Sequence, residues 1–168
     1  MRLTELLSPE RVGIEKAGGD FDKERALARL AVMLGGGVHM DAHEVERVLT
    51  EREALQSTGI GDGVAIPHGA LPGLDVQCAA LLIVPAGIEF SAIDNGKVNI
   101  LFAVIGPKRA TGEHLKTLAR VSRLLRNRDF RDRLVAAGSA EDVFTMIGVE
   151  EGDRASLGSV DRAIEGKP

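Results

Sequence analysis

The sequence predicts an α/β domain, a sheet packed against helices, and three observations carry that prediction. Cys78-Ala79-Ala80-Leu81-Leu82-Ile83-Val84 is a continuous apolar run, the pattern of a central strand buried on both faces. Val98-Asn99-Ile100-Leu101-Phe102-Ala103-Val104-Ile105 reads as a second long strand. The segments before and after these runs instead repeat apolar residues every three or four positions, as helices with one buried face do. A chain of 168 residues is the right size for one domain.

The elements follow in order. Leu3 to Leu7 forms a short apolar turn closed by Ser8-Pro9, and Arg11-Val12-Gly13-Ile14 reads as an edge strand. Gly18-Gly19 breaks the chain. Asp20 is then placed to cap a helix through Leu34, with Leu27, Leu30, Ala31 and Leu34 on one face and Gly35-Gly36-Gly37 as its stop. Asp41 caps a second helix through Leu55, whose stripe is Val45, Val48, Leu49 and Leu55. Val64-Ala65-Ile66 reads as a short buried strand and Leu71-Pro72-Gly73 as a turn. Pro85-Ala86-Gly87 should turn the first long strand into a separate short one, Ile88-Glu89-Phe90, before the strong turn signal Asp94-Asn95-Gly96. A helix is expected over 111–126, with Leu115, Leu118, Ser122 and Leu125 as its stripe and Val121 and Leu124 widening it. Two more fit 129–137 and 140–147, separated at Gly138. Beyond Val149 the chain turns polar. The expected division is a domain over 1–148 and a polar, flexible tail over 149–168.

Composition narrows the function. The chain has five Phe and no Trp or Tyr, so the aromatic platforms on which nucleic-acid bases stack are missing. Net charge is −4, from 21 basic and 25 acidic residues, and no global basic field attracts a polyanion. Between Lys108 and Arg133, however, nine Lys/Arg stand against three acids, a solvated face with room to dock an acidic partner. Cys78 is the single cysteine, so no disulfide forms within the chain, and a core position in a reducing compartment suits it. No basic-then-apolar leader opens the sequence, and its apolar runs fall far short of the ~18 residues of a membrane span. A soluble cytoplasmic protein is expected.

The chemistry concentrates in Thr58-Gly59-Ile60-Gly61-Asp62-Gly63-Val64-Ala65-Ile66-Pro67-His68-Gly69. Alternating glycines let the backbone turn sharply and approach another group closely. Pro67 keeps Ile66 extended, so His68 is expected where a strand ends, with Gly69 leaving one side of its ring uncrowded. An imidazole of pKa about 6.5 is mostly neutral at pH 7 and is a competent nucleophile. The neighbouring loop offers backbone N–H groups for an anion. The combination suits a histidine that receives and surrenders a phosphoryl group, although Pro-His-Gly also suits an ordinary turn. Neither a Walker loop nor a dinucleotide fingerprint is present, since no Gly-Lys-Ser/Thr follows and the glycines precede the strand. Arg52 lies near its helix's C-terminus, where a cation is favourable in any case. His114 lies in the first turn of its helix, the end that attracts anions. His39 and His43 have a metal-like spacing, but the Asp41 cap divides them and no third ligand lies near, so no metal is expected.

Arg52-Glu53, the Ser57–Gly69 stretch, Phe90-Ser91-Ala92-Ile93-Asp94 and His114-Leu115 in a helix together resemble enzyme IIA of the fructose/mannitol class of the bacterial phosphoenolpyruvate-dependent phosphotransferase system. The likeness is greatest to its nitrogen-regulatory branch and extends to about Ile147. It implies a single-domain α/β sandwich, a small mixed β-sheet flanked by helices, of the phosphotransferase/anion-transport-protein type. His68 matches the phosphorylated histidine, attacking through Nε2, while His114 and Arg52 match the second active-site histidine and the arginine. Thr58, Gly59, Gly61 and Gly63 are the candidate phosphate-binding loop. Asp62 departs from what a phosphate site favours, so its carboxylate should point away. No metal or cofactor is implied. The implied donor is a histidine-phosphorylated carrier protein of the HPr/NPr type. Downstream partners would be regulatory targets such as kinases or ion transporters. The alternatives are a IIB permease component, which would make the chain a sugar-specific IIA, and a binding module that kept the fold without the chemistry.

Overall fold

The computed structural model describes residues 1–16 and 19–165, with side chains described as far as 152. Helix α1 (Leu3–Leu6) and a tight helical turn at Pro9–Arg11 lead into strand β1 (Val12–Ile14), then helices α2 (Lys23–Val38) and α3 (Ala42–Leu55). Three short strands follow, β2 (Gly59–Gly61), β3 (Val64–Ala65) and β4 (His68–Leu71). The long strands β5 (Cys78–Ile88) and β6 (Val98–Pro107) precede helices α4 (Thr111–Leu124), α5 (Arg128–Ala136) and α6 (Ala140–Glu165).

β5 and β6 pair antiparallel at the centre of the sheet, and β1 runs parallel along the outer side of β5. Both β3 and β4 run parallel along the other side of β6, with Val64 opposite Ile100 and His68 opposite Val104. β2 closes that edge as the hairpin partner of β3. Because strand side chains alternate, β5 and β6 each feed two cores. Leu82, Val84, Leu101 and Ala103 meet Leu27, Leu30, Leu34, Val45 and Leu49 of α2 and α3. On the other face Leu81, Ile83, Ile100 and Phe102 meet Val121, Leu124, Phe130, Leu134 and Ile147 of α4, α5 and α6, together with Leu3 and Leu6. Burial on both faces explains the unbroken apolar runs. The result is the expected α/β sandwich, a mixed sheet flanked by helices.

Several boundaries differ from the expectation. Asp22, not Asp20, caps α2, its Oδ1 accepting from Arg25 N at 2.9 Å. The glycine triplet does not stop that helix, which continues to Val38 and ends on His39 in the left-handed region at φ 56°. Clearance is what two of those glycines provide: a Cβ on Gly35 would stand 2.7 Å from the Met40 carbonyl oxygen, and one on Gly37 2.9 Å from Cys78 Sγ. Pro85-Ala86-Gly87 is no turn either. β5 runs through it with an irregularity between Ile83 and Ile88, and Phe90 follows outside the strand. On α4 the buried face is Thr117, Val121 and Leu124, while Leu115 is 61% exposed, and Leu55 at the end of α3 is 82% exposed.

α6 continues past residue 148. Glu151 accepts from Leu3 N at 2.8 Å and Thr4 N at 3.1 Å, tying α1 to α6. Most of the segment expected to be a tail concerns side chains beyond 152 and residues 166–168, which lie outside the described residues. Among the described residues no helix is long and apolar enough to cross a membrane.

Candidate active site

Three elements bring three side chains together. α3 carries Arg52 in its last turn, β4 opens at His68, and α4 carries His114 in its first. His68 therefore begins a strand, where the sequence placed it at a strand end. Gly69 decides how closely α3 approaches: a Cβ there would run into Val48 Cγ1. Val48 and Arg52 are one helical turn apart on the same face. Bare backbone at Gly69 thus lets α3 settle on β4 with Arg52 against His68.

The hydrogen bonds of His68 fix its proton. Nδ1 lies 2.7 Å from the Ile66 carbonyl oxygen, which only accepts, so Nδ1 carries the hydrogen. Nε2 is left with its lone pair, which accepts from Arg52 Nε at 3.2 Å. Arg52 is itself anchored, Nη1 donating to the Gln56 carbonyl at 2.8 Å. The His68 pKa is held below its usual value, first by burial and then by the Arg52 charge, against the Ile66 hydrogen bond and the Glu53 carboxylate. His114 stands across from it with ring centroids 5.6 Å apart and planes tilted by 53°. Burial, with His68 second, depresses the His114 pKa as well. His114 is half-buried, not the exposed residue that a helix start suggests.

Beside His68 opens a cleft of about 460 Å³, walled by Arg52, Thr58, Gly59, Ser91, Ile93 and Leu118 among others. The glycine loop enters it only in part. Thr58 N donates to Glu53 at 3.1 Å and Gly59 N to Ser57 Oγ at 3.1 Å, so both amides already have protein partners. Gly61 and Gly63 lie away from the wall, in and after the β2–β3 hairpin. Asp62 and Gly63 have φ of 57° and 78°, the positive angles of a two-residue hairpin turn that favours Asp-Gly. Asp62 is exposed, and its N–H donates to Asp94 Oδ2 at 3.1 Å.

Glu53, quoted beside Arg52 in the sequence but given no role there, is a supporting residue. It is 7% exposed, yet its carboxylate is fully engaged by Thr58 N, Thr58 Oγ1 and, at 2.8 Å, Lys23 Nζ. Lys23 in turn donates to the Phe90 carbonyl at 3.0 Å and sits 4.4 Å from the Phe90 ring centroid. This chain of contacts fixes the end of α3, the Thr58 loop and the Phe90 segment to one another. The signal was present as Glu53 beside Arg52, but a lone Glu in a polar helix end looks solvated. Among the described residues no group of three or more His, Cys, Asp or Glu is arranged to hold a metal ion. His39 caps α2 and His43 lies within α3.

Residues 5–148 match the family described as phosphoenolpyruvate-dependent sugar phosphotransferase system, EIIA 2. A nitrogen regulatory protein of Pseudomonas aeruginosa is 36% identical over 148 residues, covering 88% of this chain and 95% of its own length. The crystal structure of nitrogen regulatory protein IIA-Ntr from Neisseria meningitidis superposes with a TM-score of 0.79 at 29% identity, over 86% of this chain and 98% of that one. The IIA mannitol of Escherichia coli, solved as a complex with phosphorylated IIB mannitol, shares the fold with a TM-score of 0.69 at 19% identity, covering 84% and 96% of the two chains. With the matched region spanning both central strands and all three candidate side chains, the chain belongs to the EIIA 2 family of the phosphoenolpyruvate-dependent phosphotransferase system.

Proposed function

We propose that this phosphotransferase-system component is a histidine phosphocarrier that accepts a phosphoryl group on His68 Nε2 and acts on partner proteins through its phosphorylation state. The observation that carries the reading is the pair of hydrogen bonds on His68, Nδ1–H to Ile66 and Nε2 facing Arg52. A neutral ring pinned in that tautomer presents one lone pair in one direction. As the P–N bond of the donor phosphohistidine breaks, a P–Nε2 bond forms, the donor ring regains its electron pair, and the hydrogen stays on Nδ1, donated to the Ile66 carbonyl. Charge in such a transfer spreads over the phosphoryl oxygens, and positioned cations and N–H groups supply most of the catalysis. Arg52 turns from Nε2 to those oxygens with a planar fork of donors. His114 meets them from the other side. Thr58 and Gly59 shape the wall, while Gly61 and Gly63 shape the hairpin behind it.

The donor in this reading is a small histidine-phosphorylated carrier protein of the HPr/NPr type, charged from phosphoenolpyruvate by the system's first enzyme. Apolar Ile60 and Ile93, 47% and 78% exposed at the cleft, suit contact with a protein partner. Kinship with nitrogen regulatory proteins favours regulatory targets, such as kinases or ion transporters, over a IIB permease component. The test is incubation with phosphoenolpyruvate, the first enzyme and the carrier. A mass gain of one phosphoryl group, labile to acid and absent in His68→Ala, is expected. An unlabelled parent chain would reduce it to a binding module.

A further inference from the structure

Gln77, immediately before β5, is 7% exposed, and neither polar atom of its amide has a hydrogen-bond partner among the described residues. Buried amides are seldom left so, and each such case needs a cause. The same condition holds for His114 Nδ1. These two groups flank one point above Gly106 of β6. A Cβ built there would stand 3.2 Å from Gln77 Cγ, 4.0 Å from Gln77 Cδ and 3.3 Å from His114 Nδ1. Only bare backbone therefore lies between a buried amide and a buried ring nitrogen, and the ring they adjoin is the one 5.6 Å from His68.

We propose that Gln77 is a positioning residue for His114: its amide hydrogen-bonds Nδ1, by a side-chain rotation or through one water, and holds the ring's Nε2 edge toward a phosphoryl group on His68. An amide suits this task better than other side chains. Its NH2 donates to Nδ1 of a neutral imidazole, and after a flip its carbonyl oxygen accepts from Nδ1–H of an imidazolium. The ring stays held in either protonation state. A hydrocarbon would leave the nitrogen orphaned, and a carboxylate would bias the ring toward its cation. The same pairing accounts for Gly106, since any larger residue would wedge the two groups apart. Its catalytic consequence rests on the phosphocarrier reading, but its geometry does not.

Nitrogen NMR of the histidines in the unphosphorylated chain tests the geometry without any phosphoryl chemistry. In Gln77→Glu the His114 titration midpoint should rise by about one pH unit or more, because an opposite charge within reach favours the cation. In Gln77→Met the His114 Nδ1 resonance should shift. Phosphoryl transfer from the carrier at saturating donor should then fall about tenfold, with the KM for the donor unchanged. An unmoved midpoint in folded Gln77→Glu, or parent-like transfer in Gln77→Met, overturns the assignment. If Gln77→Glu does not fold, Gln77→Met decides: a shifted His114 Nδ1 resonance supports it and an unshifted one overturns it. A parent chain that takes no phosphoryl group would defeat the carrier reading, while the resonances would still decide whether Gln77 holds His114.

Discussion

In the proposed phosphocarrier, His68 owes its reactivity to a carbonyl two residues before it. With Nδ1–H held by Ile66 and burial keeping the ring neutral, Nε2 stays available below the ordinary imidazole pKa. Single-turnover transfer into His68 should therefore decline at a pH below the ordinary imidazole value of about 6.5, whereas a decline centred at or above that value would contradict the shift. Stability follows the same sign. Unfolded imidazoles bind protons below about pH 6.5 while the folded His68 and His114 resist, so the unfolded state gains protons and stability falls as pH drops through that value. Thermal unfolding of the parent should lose more on acidification than that of the His68→Ala/His114→Ala double variant. Arg52→Lys should slow transfer about tenfold or more, because a point charge replaces a bidentate fork. Rapid-quench transfer assays on the variant against its parent check it.

At this scale the sequence was legible where a family resemblance joins distant residues. His68, Arg52 and His114 lie far apart in the chain yet meet in the fold. Glu53 and Gln77 were not legible. Their burial depends on Lys23, Thr58 and the bare backbone of Gly106, contacts that no local pattern encodes.

Between elements, the closest fit is α3 on β4. Gly69→Ala would drive its methyl into Val48 and lift the end of α3, and Arg52 with it, from the sheet. A loss of about 1–3 kcal/mol is expected in chemical denaturation, as for other overpacked sites, together with slower transfer. Adding Val48→Ala should recover part of both; a double variant no better than Gly69→Ala would mean the fault lies elsewhere. Asp22→Ala, which removes the cap of α2, should cost about 1 kcal/mol in the same measurement and leave transfer unchanged. The start and end of α3 were read correctly, at the Asp41 cap and at Leu55, but those of α2 were not. Glycine signals both a break and a close approach, and Gly35 and Gly37 serve the second purpose inside a continuous helix. On α4 two interleaved leucine sets competed for the core, and only the tertiary fold chooses Val121 and Leu124 over Leu115.

For the molecule as a whole, the fold class was legible because a sheet covered on both faces leaves unbroken apolar strands, and β5 and β6 are such strands. The division at residue 148 was drawn from composition, which is blind to Glu151 reaching back to the amides of Leu3 and Thr4. Glu151→Ala should lose about 1–2 kcal/mol in chemical denaturation, as when a helix start is deprived of its acceptor. A denaturation midpoint equal to that of the parent would remove Glu151 from the account.

The Arg52–His68 contact has a consequence for how an empty carrier behaves. With the guanidinium resting on the nitrogen proposed to accept the phosphoryl group, the unloaded protein would carry its own stopper. A genuine donor lifts that stopper by offering the cation something more negative to hold. Loaded and unloaded forms of the proposed carrier would then differ by the swivel of a single side chain at the mouth of the cleft, a difference that a protein docking there could read.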